Sequence, residues 1–150
     1  MRVVVQRVSS AEVRSTAHES ANIGNGMMIL LGIEHDDSPE DIDWLVGKLI
    51  RLRIFADEAG IMNLSVMDIA GSMMVVSQFT LHASTRKGNR PSYIKAANPD
   101  KAIPLYEEFV ERLKSESGLK VECGWFGANM QVALVNDGPV TIIIDTKNRE

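Results

Sequence analysis

The segment SQFTL closes an apolar run, MMVV, with two hydroxyls and an amide carried by Ser77, Gln78 and Thr80 around Phe79. At the end of a buried strand such groups can be structural, satisfying backbone N–H and C=O groups where the ladder stops. They can equally floor an active site, where hydroxyls or backbone N–H groups meet a developing oxyanion. The residue types alone leave both readings open. A second stretch, NDGPVT at 136–141, stands between MQVALV and VTIII. Asp-Gly between strand-like runs signals a hairpin turn, yet Pro139 cannot donate to a ladder and stands where the second strand should begin. A third, STRKGNRPSYIK, gathers Arg86, Lys87, Arg90 and Lys95 with no acid among them. It reads as a loop, either simply solvated or built to grip phosphate, with Gly88 allowing close backbone approach. It is no Walker loop.

The usual catalytic residue types add little. His18 and His35 fall near expected turns, and His82 opens the basic loop as an exposed residue. No HxH, HExxH or CxxC spacing is present, so no metal site is expected. Ser77 and His82 lack the GxSxG elbow that would make them a hydrolase pair. The lone Cys123, in KVECGW, reads as a small buried apolar residue and excludes an internal disulfide.

The elements that must position these groups form one domain, 1–150, with no linker or repeat. RVVVQRV, AEVRS, ESANIG and MMILLGI are strand-like, and Asn25-Gly26 predicts a hairpin between the last two. A helix is predicted after Ser38 and Pro39, with Asp41 in capping-box position and Ile42, Leu45, Val46 and Leu49 on one face. A second opens at Asn98-Pro99, buries Ala102, Leu105, Tyr106, Phe109, Val110 and Leu113, tolerates Pro104 near its start, and stops at Gly118. QVALV and VTIIID are expected as a closing pair of strands. Strands outnumber helices and run as hairpins, which favours α+β with mostly antiparallel sheets over a doubly wound sheet. The net charge of −4 argues against a general nucleic-acid coating protein, though a local basic patch is compatible with it. With no signal peptide and no membrane-spanning run, a soluble cytoplasmic protein is expected.

Taken together, MRVVVQRV, SQFTL, KGNRPS and GWFGANMQVALVNDGPVTIIID resemble the D-aminoacyl-tRNA deacylase family, in order and along essentially the whole chain. The resemblance implies a barrel-like or two-layer α+β fold with two main helices. It implies a homodimer with active sites at the subunit interface, an aminoacylated tRNA as partner, and neither cofactor nor metal. It implies hydrolysis of the ester joining a D-amino acid, or glycine mischarged on alanine tRNA, to the terminal adenosine. Ser77, Gln78, Phe79 and Thr80 would line the ester pocket. Gly138 and Pro139 of the other protomer would supply a Gly-cisPro element whose carbonyls seize the α-ammonium group and reject L-substrates. Met130 and Phe126 match positions near the adenosine, Arg7 one that holds the Gly-Pro loop, and Arg86, Lys87 and Arg90 would meet tRNA phosphates. Asn129 and His82 depart from the acidic and aromatic residues the family carries at those places. Thr80 is a nucleophile candidate without a visible base. The substrate's own ribose 2′-OH, with backbone N–H groups near Phe79 and Thr80, is the favoured alternative. Two rivals stand beside this reading: a nucleic-acid-binding dimer using the basic loop, and a threonyl-tRNA editing module.

Overall fold

The structure, a computed structural model, describes residues 1–149. The elements follow as β1 (Arg2–Ser15), β2 (His18–Ile23), β3 (Gly26–Gly32), α1 (Pro39–Ile50), β4 (Phe55–Ala56), β5 (Met62–Leu64), β6 (Ser72–Ser77), α2 (Pro99–Ser117), β7 (Val121–Cys123) and β8 (Gln131–Asp145). A short 3-10 turn, Phe79–His82, follows β6. No helix is long and apolar enough to cross a membrane.

Both helices form as their spacing predicts. At α1 the Ser38 N–H donates to the Asp41 carboxylate at 3.0 Å, satisfying a donor that the first turn leaves open. Ile42, Leu45, Val46 and Leu49 are fully buried. In α2 the Asn98 side chain accepts from the Lys101 N–H at 3.2 Å, and Gly118 ends the helix in the left-handed region. Pro104 lies on the exposed side of α2, early enough to leave the helix intact. The two helices pack on the face of the sheet formed by Val3, Val5, Met27, Ile29, Leu31, Met73 and Val75.

Most pairings are antiparallel, as expected, but the main sheet is mixed. β3 pairs β6 in parallel, and β6 pairs β7 in parallel, with α1 and α2 in the respective crossovers. Of these strands, β3 and β6 are buried on both faces. Met27, Ile29, Met73 and Val75 face the helices, while Met28, Met74 and Val76 meet a second core with Val8, Ala11, Val13 and Ile23. That is why MMILL and MMVV read as unbroken apolar runs with no alternation.

Two predicted hairpins are absent. β2 and β3 do not pair with each other; both lie antiparallel to β1, with Ala11 opposite Ile23 and Val8 opposite Gly26. The actual turn is Thr16-Ala17, between the paired Ser15 and His18. Gly26 serves close approach instead of a turn: a Cβ there would lie 1.8 Å from the Ser72 carbonyl oxygen. Likewise QVALV and VTIIID are one strand, both halves lying along β1. The register jumps from Val8 opposite Asn136 to Gln6 opposite Thr141, so Asp137–Val140 bulge out opposite Arg7. Pro139 is accommodated because a bulge requires no ladder donor from it.

The Lys147 contact with α1 gives a prediction. Burial alone would raise the Asp41 pKa, but hydrogen bonds from Lys147, Thr146 and the Ser38 N–H prevail and hold it well below the ordinary carboxylate range. Lys147 Nζ reaches Asp41 Oδ2 at 2.9 Å and lies 3.7 Å from Asp37, which also pairs with the Met1 amino group and accepts from the Glu34 N–H. A carboxylate with a depressed folded pKa contributes stability above its unfolded pKa of about 3.9, and loses it as pH falls. Lys147→Met should therefore cost about 1 kcal/mol at neutral pH in urea denaturation. The difference from the unsubstituted chain should shrink as pH falls below about 4. A difference independent of pH would mean that Lys147 acts through packing alone.

Candidate active site

A cleft of about 310 Å³ opens at the carboxyl ends of the three parallel strands, where crevices form in parallel sheets. Leu31 and Ile33 enter it from the end of β3, Ser77, Gln78 and Phe79 from the end of β6, and Phe126–Met130 from the segment after β7. Ala97 and Ala102, at the start of α2, complete the wall. The Gln78 N–H donates to the Leu31 carbonyl at 2.8 Å, one step beyond the last ladder pair, Leu31 with Ser77. There the chain turns: Leu81 N–H donates to Gln78 O at 3.2 Å, and Ala83 N–H to Thr80 O at 3.0 Å. The first N–H groups of such a turn have no acceptor within it. The floor thus offers oriented donors, with the Gln78 side chain donating from Nε2 to Thr80 Oγ1 at 2.5 Å. Thr80 itself is not part of the cleft wall.

The facing wall is apolar and fixed. Trp125 N–H donates to Met130 Sδ at 3.4 Å, and a Cβ at Gly124 would come within 2.6 Å of that sulfur. Phe126 meets Tyr106 edge-on, with ring centroids 5.8 Å apart. The Tyr106 hydroxyl donates to Val75 O at 2.9 Å, and burial first, then Cys123, pushes its pKa upward, so it remains a neutral donor. At the mouth, exposed Phe79 lies edge-on to Tyr93 at 5.0 Å.

The remaining candidates lie elsewhere on the protomer. Gly138 and Pro139, joined by a cis peptide bond, sit exposed in the β8 bulge and do not line this cleft. Arg7 grips the bulge: its Nε donates to Asp137 O at 3.1 Å and lies 3.1 Å from Asp137 Oδ2, while Nη1 donates to Ile54 O at 2.7 Å. Asn136 ties the neck, accepting from Val140 N–H and donating to Thr141 Oγ1. Arg86, Lys87 and Arg90 are exposed in the loop between the 3-10 turn and α2. His82, expected on the surface, is buried. The turn carries it inward over Gly32, where a Cβ would lie 3.0 Å from the ring. Its Nδ1 is 3.9 Å from Glu34, Nε2 has no hydrogen-bond partner, and neither faces the cleft. Cys123 is half-buried, less enclosed than expected. Among the described residues, no group of three or more His, Cys, Asp or Glu could hold a metal.

Sequence reasoning missed Leu31, Ile33, Ala97, Ala102 and Tyr93. The end of MMILLGI beside the end of MMVVSQ would have placed the first two, had the strands been read as a parallel pair.

Fold and cleft define an α+β domain built on a barrel-like mixed sheet, with hydrogen-bond donors flooring an apolar cleft at its strand ends. Such a site can steady an oxyanion while flat apolar groups occupy the walls. A family model described as D-Tyr-tRNA(Tyr) deacylase matches residues 4–145, and the chain belongs to that family. It is similar, at 61% identity over the full length of both chains, to a D-aminoacyl-tRNA deacylase of Flavobacterium johnsoniae and to one of Bacteroides fragilis. Among solved structures, it is similar to a c-Myc DNA unwinding element binding protein at 40% identity and TM-score 0.90, covering 97% of this chain and 98% of that one. A probable eukaryotic D-amino acid tRNA deacylase, at 18% identity, shares the fold with TM-score 0.82, covering 95% of this chain and 97% of that one.

Proposed function

We propose that this protein hydrolyses the ester between a D-amino acid and the 3′-terminal adenosine of tRNA. The observation that carries the reading is the floor from Ser77 to Phe79, set beneath largely apolar walls in a chain of this family. Phe126 and Met130 hold the adenine, and the ester carbonyl lies over Gln78 and Phe79. Water attacks that carbonyl, the N–H groups of Phe79 and Thr80 steady the oxyanion, and the bond to the 3′ oxygen breaks as that oxygen takes up a proton. The site is completed by a second copy of the chain, whose Gly138 and Pro139 carbonyls bind the α-ammonium group. A side chain of L configuration would meet those carbonyls, so D-residues and glycine, including glycine mischarged on alanine tRNA, are accepted.

Three features support the homodimer. The bulge is exposed and braced by Arg7, yet it does not line its own cleft. Val135 and Ile143 stand 56% and 68% exposed on β8. The edge of β8 away from β1 carries no strand among the described residues, and long bare edges invite pairing.

Incubating the protein with D-tyrosyl-, L-tyrosyl- and L-seryl-tRNA tests the reading. Loss of the D-ester alone is expected. Loss of L-serine would indicate an editing module, and no loss at all a nucleic-acid binder. Converting Arg86, Lys87 and Arg90 together to alanine should raise KM on tRNA and flatten its dependence on salt. Each lost phosphate contact removes roughly 0.7–0.9 from the slope of log affinity against log salt. An unchanged slope would place the tRNA away from this loop.

A further inference from the structure

We propose that a second nucleotide subsite adjoins the cleft, receiving the residue 5′ to the terminal adenosine: the phosphate that joins the two residues lies on Arg14 and the base of the 5′ residue on His18. This rests on the deacylase reading and names what lies one step along the same RNA strand. Asn129 lines both the cleft and a smaller depression of about 210 Å³, which is otherwise formed by Arg14, Ser15, Thr16 and Gln131. The two hollows are therefore neighbours across one side chain. The ester and the 5′ phosphate are borne by the same ribose, so an adenosine whose ester lies over Gln78 must pass its phosphate out beside the cleft. The wall at Asn129 is where the polar groups continue.

The chemistry of the second hollow suits a phosphodiester. Its lining has one cation, two hydroxyls and two amides, and no carboxylate. Arg14 and Gln131 are cross-strand partners at the end of the β1–β8 ladder. Arg14 is 63% exposed; Glu12 holds its Nη2 at 2.6 Å, which orients the guanidinium and leaves its other nitrogens to donate. Beside it, the β1–β2 turn supplies a stacking surface. His18 pairs with Ser15 across the turn and lies flat on Trp125, with ring centroids 4.6 Å apart and planes within 5°. Trp125 is anchored through its N–H to Met130, the residue that walls the adenosine. His18 is exposed, and its second face has no aromatic partner among the described residues. A ring fixed on one face and open on the other is a platform for an unstacked base, and base stacking tolerates any base identity.

The test compares D-tyrosyl esters of adenosine, of the dinucleotide cytidylyl-adenosine, and of whole tRNA. For the unsubstituted protein, kcat/KM should rise about tenfold from the adenosine ester to the dinucleotide ester. His18→Ala and Arg14→Ala should each abolish most of that rise. His18→Phe should restore it, and Arg14→Ala should also reduce the salt slope on the dinucleotide by about 0.7. Equal kcat/KM on the mononucleotide and dinucleotide esters would overturn the subsite. So would variants that lose activity equally on both, because that is damage to the cleft and not loss of a neighbouring contact. If the unsubstituted protein cleaves none of the three, the deacylase reading itself fails.

Discussion

Replacing Gly138 with alanine is expected to lower kcat/KM on D-tyrosyl-tRNA about a hundredfold, because a displacement near 1 Å in a positioning element costs that much. The physical reason lies in the bulge. Gly138 has φ +128°, a conformation that residues with a side chain rarely adopt. An added Cβ would stand 2.8 Å from Val140 Cγ2 and 3.0 Å from both the Val140 nitrogen and Arg7 Nη2. None of these yields freely. Val140 packs against the helical core, its N–H is held by Asn136, and Arg7 is fixed between Ile54 O and Asp137. The loop must move, and with it the carbonyls proposed to bind the α-ammonium group. The bulge is exposed, so the thermal midpoint should move little while activity collapses. Activity on L-tyrosyl-tRNA should stay low, so the D-over-L ratio narrows from the D side. Full D-activity in this variant would remove Gly138 from the proposed gate. Arg7→Ala, which frees the bulge from β1, should fall on the same side.

The helices were legible because each carries its signals locally: Asn98 caps α2, Gly118 ends it, and the apolar positions of both helices repeat at helical spacing. The sheet was legible only in part. Asn25-Gly26 and Asp137-Gly138 carry strong turn chemistry, yet neither is a hairpin turn. At Gly26 the absence of a Cβ serves contact with Ser72 on β6, more than forty positions along the chain, and local rules do not see that contact. At Gly138 the competing fact is β1, long enough to pair with both halves of β8, which turns a predicted reversal into a bulge. The parallel pairs were visible in principle, since MMILL and MMVV lack the alternation of a one-sided strand.

The site divides the same way. Ser77 to Phe79 stood out as polar groups at a strand end, Phe126 and Met130 were named through the family resemblance, and the structure gathers them in one cleft. Their walls, Leu31, Ile33 and Ala102, are ordinary apolar residues whose only distinction is where the topology ends their elements. His82 shows the opposite failure. A polar neighbourhood in sequence suggested exposure, but the 3-10 turn rotates it over Gly32 into the interior.

Moving the ester to a tRNA ending in 2′-deoxyadenosine should slow hydrolysis by about 10²–10³, within the range that positioned proton transfer supplies. Thr80→Ala should remain within about tenfold of the unsubstituted enzyme. The expectation follows from what surrounds the Thr80 hydroxyl. Its oxygen already accepts a hydrogen bond from Gln78 Nε2 at 2.5 Å, which draws electron density away from a would-be nucleophile. Nothing stands ready to take its proton: no histidine or carboxylate lines the cleft among the described residues, and His82, in the same turn, faces Gly32 and Glu34. A hydroxyl without a base is a weak nucleophile. The ribose 2′-OH, vicinal to the scissile bond, is the polar group closest to the leaving oxygen. In the proposed mechanism it donates to that oxygen as the bond breaks, with the N–H groups at Phe79 and Thr80 proposed to hold the oxyanion. Thr80 then serves to hold the Gln78 amide in place, so its loss loosens the floor without removing a reacting atom. Single-turnover rates on the two substrates and two proteins separate these roles. If Thr80→Ala loses a thousandfold and the deoxy ester is cleaved at nearly the full rate, the threonine is the nucleophile and the RNA is a bystander.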